Sequence, residues 1–318
     1  MAVEKRRHSF FQQQLAGHAY VGVLRDPELL AALVRSRLPG RQEEPLSATS
    51  LEQYASCPYK FFLRSLLKAR EGEENDDEID SRTFGRLHHE VLERLFRRFV
   101  DEGRLPLRGD ASELELAEEV CDDVVDRWRK TEALGHPAIF AIKERTLREQ
   151  VAAILKAEAL ESPSPGCKPA LFERPFGPLQ VAGVWLAGKI DRIDVGDNQA
   201  VVLDYKAGRK ATYVPDTAPE ALCDSAWQLP LYALAARLEL KVPFVEARFY
   251  SLREAELTRP VREPDNLGER LSALHAAMRA GEFPVRPRED ACETCNMESA
   301  CRVRQLRTTD APKSEDES

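Results

Sequence analysis

Two strand-like segments joined by a turn constrain the fold of this chain more than any other feature of its sequence. Residues 188–195 and 201–206 are rich in β-branched and aromatic side chains, and the Gly-Asp-Asn sequence at 196–198 is typical of a turn. A turn of this kind between two such segments brings neighbouring strands together in opposite directions. The pattern therefore predicts an antiparallel β-hairpin in the second half of the chain.

Three charged side chains fall within this hairpin. Asp191 lies in the first strand, and Asp204 and Lys206 lie in the second. The midpoint between the two acids falls inside the turn, so regular pairing places them opposite each other, while strand alternation places Asp204 and Lys206 on one face. Two close carboxylates repel, and a hard cation such as Mg²⁺ or Mn²⁺ relieves that repulsion while leaving positions for water and phosphate oxygens. The segment is either a metal-dependent phosphodiester site or an exposed hairpin with ordinary surface charges.

The composition excludes several classes of protein. The chain has 318 residues, of which 43% are hydrophobic and 31% charged, which is ordinary for a globular protein with a substantial core. No segment approaches the apolar length of a membrane span, and the basic N-terminus is not followed by the apolar region of a signal peptide. We expect a cytoplasmic protein that has no membrane partner.

The net charge of −8 is concentrated in two segments. Residues 71–80 carry seven acidic side chains and no base, and residues 310–318 carry four acids and one lysine. Both segments are expected to be solvated, and the second is expected to be an acidic disordered tail. The rest of the chain is close to neutral, so its charge permits a local basic groove for nucleic acid without requiring one.

The spacing of the cysteines is a second, independent signal. Cys292, Cys295 and Cys301 form a C-x2-C-x5-C sequence, and Cys57 lies far upstream. Clustered thiols in a reducing compartment indicate metal or redox chemistry more often than disulfides. Zinc sites usually draw their ligands as two local pairs, whereas one distant thiolate with a local triplet suits a [4Fe-4S] cluster that acts as a structural staple. Zinc remains the alternative. The other cysteines are isolated and are expected to be buried free thiols: Cys121, Cys167 and Cys223.

Further motifs flank the hairpin on both sides. Residues 46–63 contain Cys-Pro-Tyr-Lys-Phe-Phe, residues 85–93 read Gly-Arg-Leu-His-His-Glu-Val-Leu-Glu, and residues 228–232 read Gln-Leu-Pro-Leu-Tyr. Together with the hairpin acids and the cysteines, and in this order, they resemble the RecB-like nuclease domains of the PD-(D/E)XK superfamily, most closely the AddB-type helicase-nuclease subunits. The resemblance covers residues 46 to about 305.

The resemblance implies a metal site. His89, rather than His88, takes the position of the family's catalytic histidine. With Asp191, Asp204 and the backbone carbonyl of Tyr205, it would hold one or two Mg²⁺ or Mn²⁺ ions. A histidine beside an apolar helix stripe is otherwise usually structural, so the motif rather than the histidine itself indicates metal ligation.

The resemblance implies further catalytic positions at Lys206, Gln228 and Tyr232. Lys206 would orient or deprotonate the attacking water, or neutralise charge on the phosphate. Gln228 and Tyr232 are four residues apart and share one face of a helix, where they either position DNA phosphates or the lysine, or belong to the core. Glu173 is either an additional acid near the site or a partner of Arg174 or of a neighbouring strand.

The fold implied is α/β, with a restriction-endonuclease-like core whose mixed central sheet is flanked by helices. We expect the nuclease domain at residues 46–309, with a helical insertion at about 101–165 and a C-terminal cysteine segment at 292–301. Residues 1–45 are expected to be an N-terminal extension. The predicted elements are a helix at 49–66 opened by a Thr49-x-x-Glu52 capping box, helices at 113–130 and 139–159, a helix from about Trp227, a strand at 244–252 and a helix at 266–281.

The function implied is that of a metal-dependent DNA exonuclease of the RecB/AddB type, which acts on single-stranded DNA or DNA ends in double-strand break repair and recombination. The sequence contains no G-x-x-x-x-G-K-[ST] motif, so unwinding would come from a partner helicase of the AddA type. Two alternatives stay open. One is a CRISPR-associated RecB-like nuclease that trims spacer precursors, and the other is a non-catalytic DNA-binding or assembly module stapled by an iron-sulfur cluster.

Overall fold

The computed structural model describes residues 22–69, 79–207, 226–286, 292, 295 and 297–301. The predicted acidic tail at 310–318, most of the acidic run at 71–80, and Cys223 lie outside the described residues. The chain divides into two compact units. The smaller unit comprises residues 1–72, 180–186 and 268–318, and the larger comprises residues 73–179 and 187–267.

Helices lie on both sides of the strand region along the chain. They are α1 (Pro27–Ser36), α2 (Ala48–Ser56), α3 (Pro58–Phe61), α4 (Ser81–Asp101), α5 (Ala111–Thr131), α6 (Pro137–Leu160), α7 (Gln228–Leu240), α8 (Leu267–Arg279) and α9 (Glu298–Cys301). A π-helical turn at Phe62–Leu66 follows α3 directly. None of the helices in the described part of the chain is long and apolar enough to cross a membrane.

In the described part of the chain, five strands form one sheet in the order β1-β2-β3-β4-β5. Their bounds are β1 (Lys168–Val181), β2 (Val184–Val195), β3 (Gln199–Lys206), β4 (Phe244–Ser251) and β5 (Glu256–Leu257). β2 and β3 are antiparallel with Arg192 opposite Leu203, which confirms the predicted hairpin. β3 and β4 are parallel along their full length, so the sheet is mixed, as predicted.

The parallel pairing of β3 with β4 requires a crossover between them, and α7 lies in that connection. Eight residues of α7 are buried, on every side of the helix, which is expected for a helix covered by other elements. The helix begins at Gln228 with Trp227 as its N-cap, as predicted. Pro230 therefore lies in the first turn. A backbone N–H there would have no intrahelical acceptor, so proline costs the helix no hydrogen bond.

The helices predicted at 113–130 and 139–159 are confirmed as α5 and α6, which pack with α4 into the core of the larger unit. Buried side chains of α4 follow its helical period at Leu87, Val91, Leu92, Leu95 and Phe96. The same core includes side chains from β3 and β4, so the insertion helices support the face of the sheet.

The predicted helix at 49–66 was wrong in two details. Ser47 rather than Thr49 is the N-cap, because the Ser47 side chain accepts a hydrogen bond from the Ser50 N–H at 3.1 Å. The helix also breaks at Cys57, which has φ −152° and ψ 100°. Pro58 disfavours the helical conformation for the residue before it, so Cys57 is extended between α2 and α3.

The smaller unit includes residues 22–46, whose backbone pairs with other segments of that unit. The Phe283 N–H donates to the Gly22 carbonyl at 2.6 Å, and the Leu46 N–H donates to the Trp185 carbonyl at 2.8 Å. Gly22 has φ 78°, and a Cβ there would lie 2.0 Å from the Phe283 carbonyl oxygen. Only glycine fits this close approach of the two chain segments.

Candidate active site

Two adjacent histidines on α4 have different surroundings. His88 is fully buried, with its Nδ1 3.0 Å from the Phe84 carbonyl and its Nε2 2.7 Å from Gln150 Oε1. Burial lowers the pKa of His88. His89 is rotated about 100° around the helix and faces the sheet strands that carry the acids. The structure thus places His89, and not His88, beside the predicted carboxylates.

His89, Glu173 and Asp191 form a compact group of metal-ligating side chains. His89 Nδ1 lies 3.3 Å from Asp191 Oδ1 and 3.4 Å from Glu173 Oε1. The ligand atoms of all three lie within 4.8 Å of one another. An imidazole nitrogen with carboxylate oxygens is a donor set that suits Mn²⁺ and, through the oxygens, Mg²⁺. Asp204 does not belong to this group.

The charges of the site are strongly coupled. Burial alone would lower the pKa of His89, but the carboxylates of Asp191, Glu173 and Asp204 together raise it to about 10. Burial, and then the charge of Asp191, raise the pKa of Asp204 to about 6 despite the nearby Lys206. Three carboxylates, those of Glu173, Asp191 and Asp204, thus face three cationic side chains, those of His89, Lys189 and Lys206.

Asp204, Lys206 and Gln228 form a second group at the C-terminal end of β3, the middle strand of the sheet. Lys206 Nζ lies 2.5 Å from Asp204 Oδ2 and donates a hydrogen bond to Gln228 Oε1 at 2.7 Å. Asp204 Oδ2 is buried, and its partner within the described residues is the Lys206 ammonium. Buried carboxylate oxygens with a neighbouring imidazole nitrogen are a donor set that divalent cations take, so the residues present fit a divalent metal ion.

The hairpin links the two groups through its backbone. Continuing the register of Arg192 opposite Leu203 by one residue sets Asp191 opposite Asp204, as predicted. The Tyr205 N–H donates to Asp191 Oδ2 at 2.8 Å, so the main chain of β3 fixes the orientation of the Asp191 carboxylate. The Tyr205 ring is buried and lies edge-on to His89, with ring centroids 5.9 Å apart.

Tyr232 lies one helical turn after Gln228 on α7 and is almost fully buried. Its ring packs edge-to-face against Phe176 of β1, with centroids 5.8 Å apart. Phe176 also covers Gly188, where a Cβ would lie 2.7 Å from the Phe176 ring. The contact with Phe176 gives Tyr232 a packing role, and its predicted catalytic role stays a prediction.

A buried ionic network lies on β2 next to Asp191. The Arg192 guanidinium donates to both carboxylate oxygens of Asp194, at 2.6 and 2.9 Å, and to both of Glu158, at 2.8 and 3.1 Å. All three side chains are almost completely buried. The guanidinium also lies 4.1 Å from the centroid of the Phe96 ring on α4. The network joins β2 to α4 and α6 beside the metal-ligating group.

Glu173 lies in the site, which is one of the two alternatives that the sequence left for it, and Lys189 lies there without having been predicted. Glu173 has φ 48°, a left-handed conformation that is uncommon for a residue other than glycine. Its carboxylate makes ion pairs with Lys189 and His89, whereas Arg174 pairs with Glu239. The signal available in the sequence was the acid of Phe-Glu-Arg on a strand that precedes the metal motif.

The four predicted cluster cysteines all belong to the smaller unit. Cys57, Cys292, Cys295 and Cys301 are partly buried and are not in disulfides. In the part of the chain that the structure describes, no three of these thiols approach within 4.8 Å of one another. The arrangement does not support the iron-sulfur cluster, which stays a prediction drawn from spacing and resemblance.

Backbone contacts bring the Cys57 segment close to the segment that leads into the cysteine triplet. Tyr54 Oη donates to the Glu282 carbonyl at 2.6 Å, and the Tyr59 N–H donates to the Pro284 carbonyl at 3.2 Å. Arg286 Nη1 donates to the Ala55 carbonyl at 2.9 Å. Segments far apart in the sequence therefore pack together on either side of Cys57.

Comparison with known proteins identifies relatives for most of the chain. The sequence profile of the PD-(D/E)XK nuclease superfamily matches residues 45–302. An ATP-dependent helicase/deoxyribonuclease subunit from Moorella thermoacetica is 30% identical over 210 residues, which are 60% of this chain and 17% of that protein. The protein of the same name from Desulforudis audaxviator is 29% identical over 212 residues, again 60% of this chain and 17% of that protein. The Gene 69 protein of Mycobacterium phage L5 is 26% identical over 145 residues, which are 43% of this chain and 45% of that protein.

Proposed function

Because the chain belongs to the PD-(D/E)XK nuclease superfamily, we propose that it hydrolyses DNA phosphodiester bonds at the site that contains His89, Asp191 and Asp204. The convergence of these groups carries the proposal: His89 Nδ1 lies 3.3 Å from Asp191 Oδ1, and the two acids are buried on adjacent strands. An ordinary surface hairpin gains nothing from burying two carboxylates, since removing a charge from water is costly.

The cofactor that we propose is a divalent cation, Mg²⁺ or Mn²⁺. The proposed ligands are His89, Asp191, Asp204 and the backbone carbonyl of Tyr205, with Glu173 as a further oxygen donor. When bound, the cation supplies Lewis acidity and lowers the pKa of water. The buried carboxylates of Asp191 and Asp204 and the close approach of His89, Glu173 and Asp191 support this assignment.

Lys206 is proposed to act directly on the reacting groups. Its Nζ is fixed between Asp204 Oδ2 at 2.5 Å and Gln228 Oε1 at 2.7 Å. Held there, the ammonium orients the attacking water or stabilises the negative charge that develops on the phosphate. Gln228 is then a positioning residue for the lysine, and Tyr232 on the same helix face is proposed to act with it or to contact DNA phosphates.

The biological setting that we propose is a helicase-nuclease complex. The relatives from Moorella thermoacetica and Desulforudis audaxviator are named as subunits of an ATP-dependent helicase/deoxyribonuclease, and the matched region spans 17% of the length of each. We propose that the chain acts as an exonuclease of the RecB/AddB type on single-stranded DNA or DNA ends. Its partner would be a helicase of the AddA type, in double-strand break repair and recombination.

We also propose that Cys57, Cys292, Cys295 and Cys301 hold a [4Fe-4S] cluster with a structural role. Four thiols in one unit, none of them in a disulfide, are a suitable donor set. The packing of the Cys57 segment against residues 282–286 supports a staple between distant parts of the sequence.

The test of the nuclease proposal is an assay with end-labelled single- and double-stranded DNA, in Mg²⁺, in Mn²⁺ and in EDTA. The expected result is cleavage that requires a divalent ion and releases short products from an end. Asp191→Asn should abolish cleavage while the thermal unfolding profile is retained, because the substitution removes a ligand charge without changing volume. Cleavage that persists in EDTA, or in the folded Asp191→Asn variant, would refute the proposal.

A further inference from the structure

A cavity of about 430 Å³ opens beside the metal-ligating group in the larger unit. Two members of that group, His89 and Glu173, form part of its wall, so the cavity is continuous with the candidate active site. Its volume falls in the range of about 300 to 1,000 Å³ that is usual for small-molecule sites. The lining residues that the following argument uses are Arg82, Arg86, Glu90, Glu93, Trp128 and Lys189.

The acidic side chains of the cavity wall are already engaged. Glu90 accepts a hydrogen bond from Trp128 Nε1 at 2.7 Å and makes an ion pair with Arg127. Glu93 makes an ion pair with Arg97 at 2.9 Å. Glu173, the third acid, is paired with Lys189 and His89. These pairings reduce the repulsion that an incoming anion would meet.

Two arginines of the cavity wall have guanidinium groups that are exposed and can contact an anion. The Arg86 side chain is 57% exposed, and its nearest carboxylate, that of Glu132, is 3.7 Å away. Its guanidinium stacks over the Trp128 ring at 5.3 Å from the centroid, which holds the group in place without neutralising it. Arg82 is exposed and is in no salt bridge with a described residue, but its charge acts on the Asp80 carboxylate that caps α4.

The two arginines lie in line with the candidate metal ligand. Arg82, Arg86 and His89 are spaced four and three residues apart on α4, so their side chains share one helix face. The arginines are four residues apart, about 6 Å along the helix axis, an interval of the same order as the step between successive phosphates of one strand. A strand whose phosphate lies at His89 would therefore meet Arg86 and then Arg82.

We propose that Arg86 and Arg82 bind the phosphates that flank the scissile phosphate and guide a single DNA strand along α4 into the active site. This inference rests on the proposed function, because it takes DNA to be the substrate of the adjacent metal site. Contacts to phosphates carry no sequence information, so strand guidance of this kind makes cleavage independent of sequence. Trp128 is a positioning residue that supports the Arg86 guanidinium.

The first experiment measures binding of a fluorescein-labelled thymidine oligonucleotide by anisotropy, in EDTA, at salt concentrations from low to moderate. Arg86→Ala should weaken binding by roughly 10-fold at low salt, since a charge-assisted contact is lost. The slope of log affinity against log salt should also fall by about 0.7, the value for one phosphate contact with a single strand. Arg86→Lys keeps the charge and should retain most of the salt slope.

The matched control is Arg98→Ala. Arg98 lies on the same helix with 45% of its side chain exposed, but it pairs with Glu102 and does not line the cavity. Its removal should leave the affinity and the salt slope at the wild-type values. Circular dichroism of each variant shows whether α4 remains folded. Equal affinities and slopes for Arg86→Ala and Arg98→Ala would overturn the proposal.

A second experiment separates failure of this inference from failure of the proposed function. In the nuclease assay, Arg86→Ala should raise KM with little change in kcat, since it removes binding common to the ground and transition states. Asp191→Asn is instead expected to abolish kcat. If the wild type cleaves DNA and Arg86→Ala has the same KM as the wild type, only the strand-guidance role is contradicted. A wild-type protein that binds DNA through Arg86 and cleaves nothing contradicts the proposed activity alone.

Discussion

Neighbouring residues of α4 differ in role because each step along a helix turns the side chain by about 100°. His88 points into the core, where burial lowers its pKa and Gln150 contacts its ring. His89 points to the acids of β1 and β2, which raise its pKa to about 10. The two histidines lie on the same helix and differ only in their surroundings. These surroundings give His88 a structural role and place His89 in the candidate site.

The role of Lys206 is tested by its replacement with alanine. Lys206→Ala should lower kcat of DNA cleavage by at least about 100-fold, because the group that orients water or stabilises charge on the phosphate is lost. The unfolding free energy should also fall, because the lysine side chain is only 21% exposed and its loss leaves the buried Asp204 carboxylate without its ion pair, so kcat is compared at a temperature at which both proteins are folded. Lys130→Ala, on the exposed surface of α5, is the control and should keep wild-type kcat. Similar rates for the two variants would contradict the assignment.

His275 predicts a pH dependence of stability in the smaller unit. Burial, together with Arg279, lowers the pKa of His275 below its ordinary value of about 6.5, although the Pro39 carbonyl opposes the shift. The unfolded chain then binds more protons than the folded chain in this range. The stabilising contribution is complete above about pH 6.5 and is lost as the pH falls through the folded pKa.

The measurement for His275 is the urea-derived unfolding free energy between about pH 5 and pH 7. Wild type should lose stability more steeply on acidification than His275→Gln, whose side chain does not titrate. Parallel curves for the two proteins would show that His275 contributes no such dependence.

The central residues of the site were predicted from motifs, whereas Glu173 was predicted there only as one of two alternatives. Strand alternation and the position of the turn were sufficient to place Asp191 opposite Asp204, because a hairpin register follows from local sequence. His89 required the family motif, since helical period alone predicts only its face. Glu173 reaches the site from a left-handed backbone conformation within β1, and strand patterns assume extended residues throughout.

At the scale of elements, β2 carries both a proposed metal ligand and the buried ionic network that supports it. Asp191 faces the site, while Arg192 and Asp194 belong to the buried network with Glu158 of α6. A continuous run of buried residues at the end of β2 shows that both faces of the strand are covered there. The position of Asp191 therefore depends on packing behind the sheet as well as on the hairpin.

Replacing Arg192 tests the contribution of this network. Arg192→Met should destabilise the protein by about 3 to 5 kcal/mol, because Glu158 and Asp194 are left buried without their partner. Arg94→Ala removes an exposed ion pair of the same helix-rich unit and should cost less than about 1 kcal/mol. Both values come from chemical denaturation. A loss below about 1 kcal/mol for Arg192→Met would show that the carboxylates find other partners or take up protons without cost.

The predicted elements agreed with the structure where the signal was local. The insertion helices, the hairpin and the start of α7 near Trp227 were all visible in periodicity, turn residues and proline position. The helix predicted at 49–66 was too long, because the prediction followed the periodic pattern and did not allow for the effect of Pro58 on the conformation of Cys57. The parallel pairing of β3 with β4 was not predicted, since it depends on a long connection rather than on local sequence.

At the scale of the whole molecule, the two units hold different proposed chemistry. The larger unit contains the metal-ligating group, the lysine and the cavity with its arginines. The smaller unit contains the four cysteines of the proposed cluster and the described part of the N-terminal extension. The N-terminal segment thus belongs to the same compact unit as the cysteine segment near the other end of the chain.

The cluster prediction is tested with anaerobically purified protein. Wild type should contain iron and acid-labile sulfide and should absorb broadly in the visible range, whereas Cys57→Ser should lose both with a lower unfolding temperature. Cys167→Ser is the control, because Cys167 lies in the larger unit and is not among the proposed ligands. Colourless protein with stoichiometric zinc, or equal iron content in the two variants, would contradict the cluster.

The smaller unit is assembled from three separate stretches of sequence, and the hairpin of β1 and β2 contributes the middle one at residues 180–186. A genetic crossover within residues 73–267 would therefore separate segments that pack together in the smaller unit. Neither unit can be excised as a continuous gene fragment without truncating the other. When this region is exchanged between genomes, we expect a folded protein only if the gene segments for both units are transferred together.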